Sequence, residues 1–210
     1  MNNLKGFFIV LIFAAVTFAA CKSTKGFEGN ANLTIMIVDE NDRAVDDFEI
    51  SLYRSKKVVP DFESSVSTNK NGLCVFNNIP AGQYVFQGQK NEYTKITFAQ
   101  FDFNTRSDLY CFRVFSADYV LEQSEQLFKK GEHQKALELL EKLCTQEGTL
   151  LQSTVSFYKA CCYALLNQKE KAGSELPKIT EYKNPAFEAS KYCTAIEQII
   201  EQLPNAQPDD

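Results

Sequence analysis

The spacing of hydrophobic residues along this 210-residue chain changes twice. An apolar run, interrupted only by Thr17, extends from Phe7 to Ala20. Between residues 31 and 115, apolar and polar positions alternate, as in strands that bury one face. From Ala117 onward, apolar residues recur at the spacing of one face of an α-helix. The pattern predicts a leader followed by an α+β chain of two domains, the first all-β and the second all-α.

Turn residues divide the β-region into short segments. The clearest turn is Asn69–Gly72, where glycine is available for a positive φ. Short strands with regularly spaced turns are typical of a β-sandwich, here predicted over residues 31–115. The seven predicted strands are Asn32–Val38, Phe48–Arg54, Val66–Thr68, Leu73–Phe76, Tyr84–Gln89, Tyr93–Phe103 and Leu109–Phe115.

Part of this region resembles the carboxypeptidase regulatory-like, prealbumin-type sandwich domains. The family pattern is a threonine, a turn glycine, an aromatic-ended strand, and a proline-containing turn with glycine before tyrosine. The matching residues are Thr68, Gly72, Phe76, Ile79, Pro80, Gly82 and Tyr84. Asp42-Arg43 departs from the family's usual Asp-Gly turn. The resemblance implies a prealbumin-like sandwich that acts as a spacer, stabiliser or binding module, since such a fold does not define a function.

The helical domain is predicted over residues 117–203. A first helix carries apolar residues around Val120 and Leu127, and Gly131 ends it. The second helix presents Ala136, Leu139, Leu140 and Leu143 on one side. Asn184-Pro185 predicts the start of a capping helix with Ala189, Cys193, Ile196, Ile200 and Leu203 on its apolar face. Pro204 stops that helix, and residues 204–210 form a polar tail.

Residues 124–137 resemble a tetratricopeptide repeat, with Ser124, Leu127, Gly131 and Ala136 at the characteristic positions. A second copy follows about 36 residues later. In this copy, Ala160 corresponds to Ser124, Tyr163 to Leu127, and Asn167 to Gly131. Likewise, Ala172 corresponds to Ala136, Leu176 to Leu140, and Ile179 to Leu143. Two features depart from the family: His133 replaces an aromatic residue, and no proline follows Leu143. A generic four-helix bundle is the alternative interpretation.

The repeat resemblance implies a shallow groove lined by the first helix of each pair, which would hold a peptide or a partner helix. The predicted lining residues are Leu121, Glu125, Phe128, Lys129, Phe157, Cys161 and Leu165. The predicted sandwich ends directly before the first helix. It is therefore close enough to cover the groove, and the sequence is equally compatible with a covered and an open groove.

The N-terminus reads as a signal peptide over residues 1–20, with Lys5 before an apolar core too short for a comfortable membrane span. The run Phe18-Ala19-Ala20-Cys21 resembles the lipobox of bacterial lipoproteins, although Phe18 stands where an aliphatic residue is usual. The resemblance implies palmitate and other acyl chains on Cys21, then a polar tether over residues 21–30. Lys22 favours the outer membrane by the same resemblance. An ordinary signal peptide or an uncleaved anchor is the alternative.

The composition narrows the candidate chemistry. A net charge of −5 argues against nucleic-acid binding, and one histidine, His133, excludes a multi-histidine metal site. No catalytic glycine-rich or nucleophile motif occurs, so we expect no catalytic residue, no metal and no cofactor. His133 is expected to have a packing role, because the repeat resemblance places it where the family packs an aromatic residue against the partner helix. Six cysteines besides Cys21 lie in predicted apolar strands or helices, and they are expected to be buried thiols or to include a disulfide. They are Cys74, Cys111, Cys144, Cys161, Cys162 and Cys193.

These features predict a lipid-anchored protein of the bacterial cell envelope that binds a protein or peptide partner and is not an enzyme. The alternative is a carbohydrate- or peptidoglycan-associated module. That module would use sandwich loops near Lys56-Lys57 or Arg106, where tyrosine would substitute for the absent tryptophan in sugar stacking.

Overall fold

The computed structural model describes residues 31–55, 61–106, 108–180 and 189–202. The predicted leader 1–20, tether 21–30 and tail 204–210 lie outside the described residues, as do Lys56-Lys57, Asn184-Pro185 and Leu203. The described residues form seven strands followed by five helices, which confirms a β-sandwich followed by a helical part. No helix of the described residues is long and apolar enough to cross a membrane.

The strands form two sheets. They are β1 (Ala31–Val38), β2 (Glu49–Arg54), β3 (Asp61–Ser67), β4 (Leu73–Ile79), β5 (Gly82–Gln89), β6 (Ile96–Phe103) and β7 (Leu109–Arg113). One sheet has the order β4-β1-β7, with β4 antiparallel and β7 parallel to β1. The other has the order β3-β2-β5-β6 and is antiparallel throughout. We call these the three-stranded and the four-stranded sheet.

The sandwich core lies between the sheets because alternate residues of their strands point inward. Its fully buried large side chains are Leu33, Ile35, Ile37, Phe48, Ile50, Leu52, Phe76, Tyr84, Phe86 and Phe103. Aromatic rings account for much of this set, which suits two sheets that must fill the space between them without a central helix.

Several residues of the prealbumin-type motif have a local structural role. The Thr68 hydroxyl donates to Val45 O at 2.6 Å and accepts from Phe48 N at 3.0 Å. The Tyr84 hydroxyl donates to Pro80 O at 2.8 Å. Gly72 has φ +72°, and a Cβ there would lie 2.5 Å from a backbone oxygen, so the turn requires glycine. Gly72 and the Tyr84–Pro80 hydrogen bond stabilise the turns before and after β4, and Thr68 holds the segment that leads into β2.

The helices are α1 (Ala117–Lys129), α2 (His133–Leu140), α3 (Leu150–Leu165), α4 (Lys169–Thr180) and α5 (Ala189–Gln202). α1 packs on α2, α3 packs on α4, and α5 packs on both α4 and α3. Their shared core includes Val120, Ala136, Leu140, Ala160, Cys162, Ala172 and Ile179, all fully buried.

The two turns between paired helices are equivalent at the predicted offset. Gly131 and Asn167 both have positive φ, at 75° and 58°. Glu132 N donates to Leu127 O at 2.9 Å, and Gln168 N donates to Tyr163 O at 2.8 Å. This is the Schellman pattern, which satisfies carbonyls that a helix end leaves open.

The sandwich joins the helical part through backbone hydrogen bonds. The β5–β6 loop runs between the start of α1 and the segment after α2, with bridges Tyr93–Ser116 and Thr94–Leu143. Lys95 N donates to Lys142 O at 2.8 Å, and Cys144 N donates to Tyr93 O at 2.9 Å. We call this contact the junction.

The junction explains two differences from the predicted elements. The strand expected from Tyr93 begins only at Ile96, and the helix expected to include Leu143 ends at Leu140. Lys142 O and both backbone groups of Cys144 pair across the junction, whereas Lys142 N and Leu143 N still donate to Leu139 O and Leu140 O in a last turn of α2. A carbonyl or N–H that bonds across the junction is not available to extend the helix or the strand. Cys144, expected within an apolar helix, consequently lies in the loop after α2.

A carboxylate reinforces the junction at the start of α1. Glu40 accepts hydrogen bonds from Ser116 N at 3.0 Å and from the Ser116 hydroxyl at 2.7 Å. The same hydroxyl accepts from Tyr119 N, so Ser116 is the N-cap of α1. Burial raises the pKa of Glu40, but the hydrogen bonds from Ser116 outweigh it and leave the pKa below its ordinary value.

Candidate functional site

The residues predicted to line a groove lie on α1 and α3 as expected. We define the α1/α3 surface as Leu121, Glu125, Phe128, Lys129, Phe157, Cys161 and Leu165. Four of these are half-buried and pack against the helical core: Leu121, Phe128, Phe157 and Cys161. Glu125 and Lys129 are exposed, and Leu165 is 54% exposed. The surface therefore combines an apolar floor with accessible polar and apolar edges.

Tyr158 connects the two helices of this surface. Its hydroxyl donates to Glu125 Oε1 at 2.6 Å, and its ring lies 5.7 Å from that of Phe157. Burial, together with the hydrogen bond to Glu125, raises the pKa of Tyr158 to about 12. The phenol is therefore protonated at physiological pH and links α1 to α3 through this hydrogen bond.

Tyr158 could not be predicted from the sequence pattern, because nothing in that pattern assigns a hydrogen bond to its position. The available signal was a tyrosine directly after Phe157 in a helix that is otherwise rich in apolar residues. Tyr158 is half-buried, and a tyrosine ring packed on a helical core keeps a polar hydroxyl that can bond a nearby carboxylate. Glu125, one turn before Lys129 on α1, supplies it.

The thiol of Cys161 is not suited to nucleophilic chemistry. Burial raises its pKa to about 11, so the reactive thiolate is scarce at neutral pH. Burial also raises the pKa of Cys74 and Cys162 to about 11 and that of Cys144 and Cys193 above the ordinary value. The six described cysteines are free thiols, of which Cys111 is exposed rather than buried as expected.

His133 lies against an aromatic ring of the neighbouring helix. Its ring centroid is 4.9 Å from that of Phe128, and the two rings meet edge to face. His133 is half-buried, and this contact is the packing role expected for it from the sequence. Within the described ranges, no group of three or more histidine, cysteine, aspartate or glutamate residues is arranged to hold a metal ion.

The remaining predicted positions fall elsewhere. The lipidation residue Cys21 lies outside the described residues. Arg106, named for the alternative carbohydrate module, is exposed in the loop between β6 and β7. The loop is remote in sequence from the α1/α3 surface, and the two predicted sites share no residue.

Comparison with known proteins gives partial structural similarity. No family model matches the chain, and no curated protein does. Among solved structures, the Bacillus anthracis TIE protein matches at TM-score 0.35 and 16% identity, over 42% of this chain and 17% of its own. Transthyretin from Sparus aurata matches at TM-score 0.33 and 12% identity, over 40% of this chain and 90% of its own.

An enzyme is also among the similar structures. The 5-hydroxyisourate hydrolase of Klebsiella pneumoniae matches at TM-score 0.30 and 20% identity, over 43% of this chain and 88% of its own. The names of these three structures describe different kinds of protein. Each match covers less than half of this chain.

Proposed function

We propose that this protein is a lipid-anchored component of the bacterial cell envelope that binds a protein or peptide partner without catalysis. The observation that supports this most is the α1/α3 surface, where half-buried apolar side chains lie beside the exposed Leu165. Protein interfaces commonly combine such an apolar centre with a polar rim, and Glu125 and Lys129 provide the rim.

The helical part is proposed to be a short tetratricopeptide-type repeat. In support, the residues 36 positions apart have matching environments: Ser124 and Ala160 are both buried, as are Ala136 and Ala172. Small buried residues allow the paired helices to approach closely. α5 then acts as a cap, because a short stack of helix pairs leaves an apolar end that must be covered.

The sandwich is proposed to be of the prealbumin type and to serve as a rigid spacer. Gly72 and Tyr84 support this, since each stabilises a turn that the motif specifies, and Thr68 adds two hydrogen bonds to the segment before β2. The junction transmits the position of the sandwich to α1 through backbone hydrogen bonds. A partner held on the α1/α3 surface would therefore keep a defined orientation relative to the sandwich.

Membrane attachment is proposed to come from acyl chains on Cys21, with the outer membrane as the favoured location. Each buried methylene contributes about 0.8 kcal/mol, so two or three acyl chains hold a protein at a bilayer. Cys21→Ala should abolish metabolic labelling with palmitate and release the chain from the membrane fraction. Cys111→Ala, which removes an exposed thiol of the sandwich, is the matched control. Labelling that persists in Cys21→Ala would contradict the anchor.

Partner binding is tested by photo-crosslinking in intact cells that express the full chain. A benzophenone amino acid replaces Leu165 on the α1/α3 surface or, as control, Leu109 on β7, which is 57% exposed. We expect one discrete adduct from position 165 and none of the same mass from position 109. A second photoprobe at position 129 should lose that adduct when Leu165→Glu is added, because a charge disrupts an apolar contact. Equal adducts from both surfaces, or none, would contradict the proposal.

A further inference from the structure

The outer surface of the four-stranded sheet carries an unusual set of side chains. Ile50, Leu52, Tyr84 and Phe86 point into the sandwich core, so their neighbours in β2 and β5 point outward. These neighbours include Glu49 paired with Gln89 and Ser51 paired with Gln87. Together with Lys95, Ile96 and Thr97 they line an open depression of about 250 Å³. We call this depression the outer-sheet depression.

A β-bulge in β6 leaves an aromatic side chain exposed at Phe98, the residue that follows Thr97 of the depression lining. Phe86 pairs with Ala99 and Gly88 pairs with Ile96, so two residues of β6 oppose one residue of β5. Ile96 and Ala99 both pack against the core. Because the two residues between them interrupt the alternation, Thr97 and Phe98 are both directed to the outer face. Phe98 is 61% exposed.

Phe98 carries two features that do not stabilise the fold. Its φ is +53°, a conformation that is sterically unfavourable for a bulky side chain. Its ring also leaves most of its apolar surface in water, which forgoes the free energy of burial. Strained backbone and bulges that redirect a side chain are concentrated at binding sites. The bulge therefore presents the ring of Phe98 for contact with something outside the sandwich.

The chemistry of the lining identifies the class of ligand. Glutamine amides offer both donors and acceptors, and serine and threonine hydroxyls do the same. The single acid and the single base, Glu49 and Lys95, leave the depression without net charge. A sugar ring has hydroxyls around its rim and an apolar C–H face, so polar groups can bind the rim while an aromatic ring contacts the face. A neutral ligand fits better than an anionic one.

A protein partner fits this face less well. Protein interfaces are depleted in lysine, glutamate and serine, which here make up much of the lining. Specific interfaces also bury more than about 1,000 Å² around an apolar centre, whereas this depression is small and polar. Addition of a strand to the edge of β6 is hindered, because a bulge disrupts the regular hydrogen-bond ladder that a partner strand would need.

We propose that the outer-sheet depression binds a neutral oligosaccharide, with Phe98 contacting a sugar face and Gln87, Gln89 and Ser51 hydrogen-bonding its hydroxyls. The row from β2 to β6 spans about 10 Å, two inter-strand spacings, so it accommodates part of an oligosaccharide whose remaining units lie in solvent. This site shares no residue with the α1/α3 surface, and its success or failure is independent of partner binding there.

Binding is measured with the full-length chain in a detergent that has no sugar headgroup. The probes are maltohexaose, cellohexaose and chitohexaose, each titrated to about 5 mM and followed by saturation-transfer NMR and calorimetry, since weak sites have Kd values near 1 mM. We expect at least one probe to bind. Phe98→Gly should weaken that binding at least tenfold, and Gln87→Ala should weaken it severalfold.

Two controls separate binding from folding. Leu109→Ala removes an exposed apolar side chain from the three-stranded sheet and should leave binding unchanged. Phe98→Gly should retain or increase the urea midpoint of unfolding, because glycine adopts a positive φ without strain. The proposal is overturned if no probe binds, or if Phe98→Gly binds as well as the parent. The proposal is also overturned if no probe binds and Phe98→Gly abolishes self-association of the chain, because the outer-sheet depression would then bind a second copy of the chain.

Discussion

Thr94 ties the sandwich to the helical part through a pair of hydrogen bonds with Phe115. The backbone N–H of Thr94 donates to Phe115 O at 2.9 Å, and the Thr94 hydroxyl accepts from Phe115 N, also at 2.9 Å. Thr94 is 5% exposed. Thr94→Val keeps the shape of the side chain but removes the oxygen, so the N–H of Phe115 loses its acceptor inside the junction.

The expected cost follows from that one unsatisfied donor. Leaving a buried donor without a partner costs about 1–3 kcal/mol, and this hydrogen bond is only partly buried. We therefore expect Thr94→Val to lower the free energy of unfolding by about 1–2 kcal/mol. With a urea m-value of about 2 kcal/mol per molar, the midpoint should fall by about 0.5–1 M.

The assay combines urea denaturation, followed by far-ultraviolet circular dichroism, with hydrogen exchange at the amide of Phe115. Thr94→Ser keeps the acceptor and loses only a methyl group, at a cost of about 0.8 kcal/mol. Hydrogen exchange distinguishes the two variants. In Thr94→Val, the Phe115 amide should exchange about 5–30 times faster than in the parent. In Thr94→Ser, the Phe115 amide should keep its protection. Equal exchange in the two variants, or an unchanged midpoint in Thr94→Val, would refute the reasoning.

Three further outcomes are expected. Burial raises the pKa of Cys161 to about 11, so about 0.1% of this thiol is ionised at pH 8. Alkylation with iodoacetamide, followed by mass spectrometry, should therefore label the exposed Cys111 before Cys161. Faster labelling of Cys161 would contradict its burial. The pKa of Glu40 is lowered in the folded protein, so Glu40 stabilises the fold above its ordinary pKa of 4.5, and this stabilisation is lost as the pH falls through the folded pKa. In Glu40→Gln, the urea midpoint should therefore decline less steeply with falling pH below about pH 4.5. The same dependence of the midpoint on pH in the parent and the variant would count against this. Gly88→Ala should cost about 1–3 kcal/mol, because its Cβ would lie 2.5 Å from the buried ring of Phe48; a midpoint equal to that of the parent would show that the ring yields.

The local pattern was sufficient to predict the strands and the turn between paired helices. All seven predicted strands are present with shifted ends, because alternation reports which residues face the core whichever strands they pair with. Gly131 and Asn167 likewise end their helices at the predicted offset, since a positive φ at a helix end depends on a few neighbouring residues.

The candidate sites depended more on long-range contacts. The repeat pattern placed Glu125 and Phe157 on facing helices, but it did not predict the hydrogen bond from Tyr158 to Glu125. It also gave no indication of Phe98, whose exposure results from a mismatch between the lengths of β5 and β6 across a bulge. The sequence of one strand does not show that its partner strand has an extra, bulged residue opposite it, because this depends on how the two strands pair.

The sequence by itself determined the order of the two domains, the identity of their core faces and the turns that require glycine or asparagine, because each follows from residues close together in the chain. Only the tertiary structure decided where α2 ends and where β6 begins. Segments 92–95 and 142–144 are far apart in sequence and pair with each other. Backbone groups used across the junction are no longer free to extend a helix or a strand, and that competition exists only once the sandwich and the helices meet.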